Sequence, residues 1–311
     1  VDARRKEIGR RLKAYRMGSG LKAEEIARRL NISRSALYRM EAGEIVKIET
    51  LDALANVLNT SLASLLGVGV EYYSKAAAYF ERMHQLEAGA DQILARFNPI
   101  SYLLTTDEYS RHLRQMLIEA LPPNEAKPEA IAEIDTIMAV LAARRAATKP
   151  TRIIALMSVP EVERFLQFGV IGRFGLPAEE WARRRAAARR EVENVRRLLN
   201  EPRPNIEVGL IDEMLPTMTF QLFKSKKETL LAVSPFRLSE MPNIRYGVAT
   251  VTAAPEAVAI YEKLAADLWS RALKGQRAAA RLGEVMARVG GAVTVEMRLT
   301  RASARRRKSR Q

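Results

Sequence analysis

AEEIARRLNISRSALYRMEAG, residues 23–43, decides how the first part of the chain folds. Ile26, Ala27 and Leu30 recur at helical spacing, and Asn31-Ile32-Ser33 then interrupts the pattern with a residue that tolerates left-handed backbone and a good N-cap. Beyond the interruption Leu37 and Met40 mark the buried side of a second short helix. Arg34, Ser35, Tyr38 and Arg39 share its other side, and Gly43 stands where a helix end takes glycine. Ala27, four residues before Asn31, is small enough for the two helices to cross closely, so the spacing predicts a helix-turn-helix unit. An ordinary helical domain with a solvated arginine face is the competing reading. The joint placing of Ala27, Asn31, Ser33, Leu37, Glu41 and Gly43 argues against it, because amphipathicity alone does not produce that spacing.

Working outward, Asp2 to Arg16 carries Ile8, Leu12 and Tyr15 on one helical face before the breaker Gly18-Ser19-Gly20. A fourth helix is expected from a cap at Thr50 with Leu51, Leu54 and Leu58 inward, and a short fifth with Leu62, Leu65 and Leu66 before Gly67. The segment from about residue 4 to 67 resembles the phage-repressor, or Xre, class of helix-turn-helix proteins. The resemblance rests on Glu24-Glu25-Ile26-Ala27, Asn31-Ile32-Ser33-Arg34-Ser35-Ala36-Leu37, Glu41-Ala42-Gly43, Leu51-Asp52-Ala53-Leu54-Ala55 and Leu65-Leu66-Gly67. Asn31 departs from the usual glycine, and Lys22-Ala23 from the common Ser-Gln. The resemblance implies an all-α, lambda-repressor-like domain whose third helix enters the major groove, with Arg34, Ser35, Tyr38 and Arg39 facing base edges. Arginine suits that role because it donates two hydrogen bonds to guanine O6 and N7. Arg10, Arg11, Lys13, Lys22, Ser33 and Lys47 are expected at backbone phosphates. One such unit reads few base pairs, so a homodimer on an inverted-repeat DNA operator is expected.

The chain has 311 residues and a net charge of +15, and the charge is concentrated at its ends. Residues 1–70 hold 13 Lys and Arg against 8 Asp and Glu, residues 271–311 hold 12 against 2, and the middle balances at 26 each. Attraction to a polyanion therefore belongs to the ends. Cysteine is absent, which excludes disulfides and thiolate chemistry. No run approaches the roughly 20 apolar residues of a membrane span, and no basic leader precedes an apolar stretch, so a cytoplasmic protein without membrane contact is expected.

The expected organisation is multi-domain: the helix-turn-helix domain at 1–68, a linker or dimerisation helix at 69–98, a larger α/β domain at 99–275 and a basic tail at 276–311. From 69 to about Phe97 a stripe of Ala76, Phe80, Met83, Ala90, Leu94 and Phe97 reads as one long helix, seating either a partner helix or its own second domain. Helices are then expected from Asp107 to Ala120, Asn124 to Ala147, Pro177 to Asn200 and Pro255 to Leu273. Strands are expected at Thr151–Met157, Ile206–Ile211, Met218–Phe223, Thr229–Val233 and Tyr246–Thr252. The arginine-rich stretch at 183–190 reads as a solvated helix with internal ion pairs, and the run from Arg305 to Arg310 as a disordered tail.

Glu207 to Ala272 resembles the closing part of a phospholipase-D-like domain, on Leu215-Pro216, Tyr246-Gly247-Val248, Pro255-Glu256-Ala257-Val258 and Leu268-Trp269-Ser270-Arg271-Ala272. That family's chemistry needs paired His-x-Lys-x4-Asp motifs, whereas this chain offers only His84 and His112, the latter in His112-x-Arg114-x4-Glu119. No phosphate-loop motif and no metal-ligand spacing is present. A small-molecule effector domain without catalysis, cofactor or metal is therefore expected, with Phe220, Arg237, Arg245 and Tyr246 as candidate effector residues. The alternative is a ligand-independent repressor or antitoxin-like module whose second domain serves dimerisation or binds a protein partner.

Overall fold

A computed structural model describes residues 2–289 apart from 45, 46, 126, 147–150, 202, 216 and 217; the expected disordered tail lies outside them. Five helices come first: α1 (Asp2–Ser19), α2 (Ala23–Arg29), α3 (Arg34–Glu41), α4 (Ile48–Val57) and α5 (Leu62–Leu66). Leu12, Ile26, Leu37, Leu54 and Leu65 are buried and supply their common core. The fourth helix starts at Ile48, not after Thr50, so Lys47 is its N-cap residue and Thr50 sits in the first turn.

The next segment corrects the sequence reading. In place of one helix through Phe97 the chain forms β1 (Val70–Tyr73), α6 (Ala76–Gly89) and β2 (Gln92–Arg96). Both strands pair into a large sheet, so residues 70–96 are part of the second body rather than a linker to it. Residues 76–83 of α6 are buried all round, between α1, α8 and the sheet, which suits the apolar Ala76 to Phe80 and Met83 and leaves Glu81 and Arg82 to be paired internally. A short apolar run such as Ile93-Leu94-Ala95 fits strand and helix alike, and pairing decides between them.

The rest alternates helices and strands: α7 (Glu108–Glu119), α8 (Pro128–Ala146), β3 (Arg152–Ser158), α9 (Val159–Phe168), α10 (Ala178–Asn200), β4 (Ile206–Ile211), β5 (Thr219–Lys224), β6 (Thr229–Ser234), β7 (Ala249–Thr252), α11 (Pro255–Arg271), β8 (Leu273–Lys274) and α12 (residues 275–289). The strands form one sheet in the order β1-β7-β6-β5-β2-β3-β4-β8. β2, β3 and β4 run parallel, joined by helical crossovers, and the other neighbours are antiparallel. Both faces of the central strands are covered, so their sequences read as continuous apolar runs. Alternate residues face opposite ways: Phe220 and Leu222 pack with Val258 and Ala265 of α11, while Phe223 joins the large core beneath α6. The N-terminal helical region and the mixed-sheet region thus match the expected two-part α and α/β organisation.

Candidate nucleic-acid interface

The turn between α2 and α3 is fixed by backbone bonds that the sequence permits. Asn31 takes φ +52°, its N–H donates to the carbonyl of Arg28, and the Ile32 N–H donates to the carbonyl of Ala27. This paired arrangement satisfies two carbonyls that a helix end otherwise leaves bare. Asparagine reaches the left-handed region more readily than other non-glycine residues, so it stands in for the glycine usual in the resembling class. The same pattern closes α3 at Gly43 (φ +98°) and α4 at Asn59 (φ +52°). Asn59 escaped the sequence reading, although an asparagine following a leucine-rich helix is the signal that would have found it. Ser33 caps α3, its hydroxyl accepting from the Ala36 N–H at 3.1 Å. Ser33→Ala is expected to cost about 1 kcal/mol of stability, read as a lower denaturant midpoint with an unchanged slope.

With Leu37 buried beneath it, α3 presents Arg34, Ser35, Tyr38 and Arg39 to solvent on one side. Arg34 contacts Glu24 at 2.5 Å and Arg39 contacts Glu44 at 3.1 Å, all four side chains being more than half exposed. Such pairs contribute little in water and are readily exchanged for a stronger partner. The cationic group of Arg16, paired with Glu41, lies 5.6 Å from the Tyr38 ring centre and braces that side chain.

The phosphate candidates divide. Lys22 and Lys47 are exposed at the N-cap positions of α2 and α4, and Arg10 is exposed beside Glu7. Lys13 reaches Glu81 on α6 at 3.0 Å. Arg11 turns inward instead: its Nε donates to Glu71 at 2.5 Å and its side chain is only 11% exposed, so the expected phosphate contact is replaced by an internal ion pair.

That ion pair belongs to the joint between the helical region and the sheet. Glu71 on β1 also accepts from Arg82 Nε and Nη2 at 3.0 Å and from the Tyr73 hydroxyl at 2.5 Å. Arg82, fully buried on α6, reaches Glu7 on α1 at 3.1 Å. Tyr15 stacks on Tyr73 with ring centres 4.8 Å apart. Gly18 meets Ala78 so closely that a Cβ there would lie 2.4 Å from the alanine methyl. Burial alone raises the Glu71 and Glu7 carboxyl groups, but the neighbouring guanidinium charges, Arg82 foremost, outweigh it and hold both below the ordinary value of 4.5. A carboxyl depressed in the folded state contributes stability above its unfolded pKa and loses it as pH falls through the folded one. Unfolding midpoints are therefore expected to decline below about pH 4.5, with a shallower decline in Glu71→Gln.

The candidate effector residues are not brought together. Phe220 packs edge-on against Tyr261 on the α11 side, Arg237 lines a small cavity on the α6 side, and Arg245 pairs with Glu125 next to exposed Tyr246. On β5 alternation places Phe220 towards α11 and its neighbour Gln221 towards the cavity that Arg237 lines. Arg114 and Glu119 serve separate partners, and His112 makes no hydrogen bond to either. His112 lies 3.6 Å from Glu108, Arg114 binds Asp135, and Glu119 binds Arg184. His84 lines a cleft of about 450 Å³ in which Arg144 is paired with Glu87 and Arg145 with Asp107.

A family model described as a helix-turn-helix domain matches residues 7–71. Comparisons with curated proteins and with solved structures find no match. The chain thus carries a helix-turn-helix domain, the feature that suggests a DNA-binding regulator. No helix among the described residues is long and apolar enough to cross a membrane.

Proposed function

We propose that this chain is a sequence-specific transcriptional regulator of the phage-repressor-like class, acting as a homodimer on an inverted-repeat operator and answering to a small-molecule effector in its α/β region. The observation that carries the reading is the exposed face of α3, where Arg34, Ser35, Tyr38 and Arg39 stand on a helix capped at Ser33 and anchored by Leu37. Two arginines on such a face suit guanine edges in the major groove. The surplus of basic residues in 1–70 supplies the attraction to phosphate. Binding, not catalysis, is the role assigned to the second region, where Arg114 and Glu119 are engaged with Asp135 and Arg184.

Selection of bound sequences from a random DNA pool by the full-length chain tests the reading. An enriched inverted repeat with half-sites about 34 Å apart is expected. A pool with no enriched sequence contradicts sequence-specific recognition, and an enriched single half-site contradicts the dimer.

A further inference from the structure

Among the described residues eight buried side-chain polar atoms have no hydrogen-bond partner, and all but the one on His112 gather at one place. They lie where β2 ends, α9 starts, β5 begins and the chain leaves β6, joined by bonds from Arg96 to Glu161 and from Arg164 to Glu240 and Asn98. This is the carboxyl end of the parallel strands, where open α/β sheets hold their ligands. Buried polar atoms are normally paired, and three of these, on Asn98, Gln221 and Arg237, belong to residues that line one cavity, which points to a ligand that pairs those three.

The cavity here measures about 40 Å³, space for a molecule or head group of a few heavy atoms. Asn98, Gln221 and Arg237 line it, with Tyr79, Phe80 and Phe236 as aromatic wall. Asn98 and Gln221 are each more than nine-tenths buried. Their bonding decides what remains on offer. Asn98 Oδ1 accepts from Arg164 at 3.1 Å, which leaves the Nδ2 hydrogens free to donate. Gln221 Nε2 donates to the Tyr79 hydroxyl and to Met83 Sδ, which leaves Oε1 to accept. Arg237 Nη2 is held by the carbonyls of Glu240 and Met241, and its Nε–H is unpaired. An amide donor and a guanidinium donor suit a carboxylate, and a lone acceptor suits a hydroxyl on the neighbouring carbon. Arg144 and Arg237 are the charged groups lining the cavity and no acid lines it, which disfavours an ammonium in the hydroxyl's place. The larger cleft beside His84 makes no such offer, because Arg144 and Arg145 there already have carboxylate partners.

We propose that this cavity binds a small 2-hydroxy acid, its carboxylate accepting from Asn98 and Arg237 and its hydroxyl donating to Gln221. The proposal deepens the effector reading and rests on it for its consequence: the walls Tyr79 and Phe80 are on α6, the helix whose Arg82 holds α1 of the DNA-binding region. A ligand here bears on the same helix that orients the recognition surface, and it alters DNA binding to the extent that it prefers one placing of α6 over another.

Calorimetric titration of the full-length chain with glycolate and with L-lactate tests the site without DNA, so its failure is separable from failure of the operator selection. Binding of at least one hydroxy acid is expected, with acetate, which lacks the hydroxyl, at least tenfold weaker on the unaltered protein. Gln221→Leu is expected to weaken the hydroxy acid at least tenfold and leave acetate unchanged, and Arg237→Met to weaken both. No binding of either hydroxy acid, acetate binding as tightly as they do, or hydroxy-acid affinity unchanged in both variants would overturn the proposal.

Discussion

Replacing Glu71 with alanine is expected to lower the stability of the full-length chain by about 3–5 kcal/mol, the cost of stranding a buried charge. Arg82 has no solvent to retreat to, and Arg11 is nearly as enclosed; each loses its main carboxylate, and the Tyr73 hydroxyl loses its acceptor. Glu7 reaches only one nitrogen of Arg82 and is itself partly exposed, so it cannot compensate. The effect is asymmetric. Removing the buried polar groups together, as in Glu71→Leu with Arg82→Met, Arg11→Met and Tyr73→Phe, is expected to cost far less than the sum of the single losses, because no buried group at this place is then left without its partner. Equilibrium unfolding in urea measures both. A Glu71→Ala loss under about 1 kcal/mol, the value of an exposed ion pair, would mean that this network does not hold the helical region to the sheet.

Removing Arg34 and Arg39 together is expected to weaken binding to the selected operator by about 2–6 kcal/mol, at roughly 1–3 kcal/mol for each arginine that reads a base. Binding to unrelated DNA, which depends on total charge, is expected to fall much less, so the ratio between the two affinities collapses. Their ion pairs with Glu24 and Glu44 hold them in the right region at little cost, and folding stability is expected to stay near that of the unaltered chain. Equal losses on operator and unrelated DNA would assign both arginines to phosphates and take base reading away from α3.

The helix-turn-helix unit was legible in the sequence because everything that makes it is local. A cap at Ser33, a left-handed residue at Asn31, a terminating Gly43 and the buried Leu37 all lie within thirteen residues, and each acts on backbone a few positions away. The joint was not legible. Arg11 is 60 residues from Glu71 in the chain, and an amphipathic reading of α1 places every arginine on the solvent side. Only the arrival of β1 beside α1 turns Arg11 inward. The same limit hid β2, since Ala90, Leu94 and Phe97 continue a helical stripe until pairing with β3 and β5 claims residues 92–96. For the proposed ligand cavity, the sequence offered Phe220 and Arg237 together as candidates and did not show that they would face different sides of the sheet. Arg237 lines the cavity whereas Phe220 faces α11, a difference fixed by which face each helix covers.

Footprinting of guanine N7 with dimethyl sulphate on the selected operator tests most directly whether α3 reads bases in the major groove. The full-length chain is expected to protect guanines in each half-site, and Arg34→Ala or Arg39→Ala to lose protection at particular guanines while the rest of the footprint persists. Protection patterns that are identical in the unaltered chain and both variants would contradict the account.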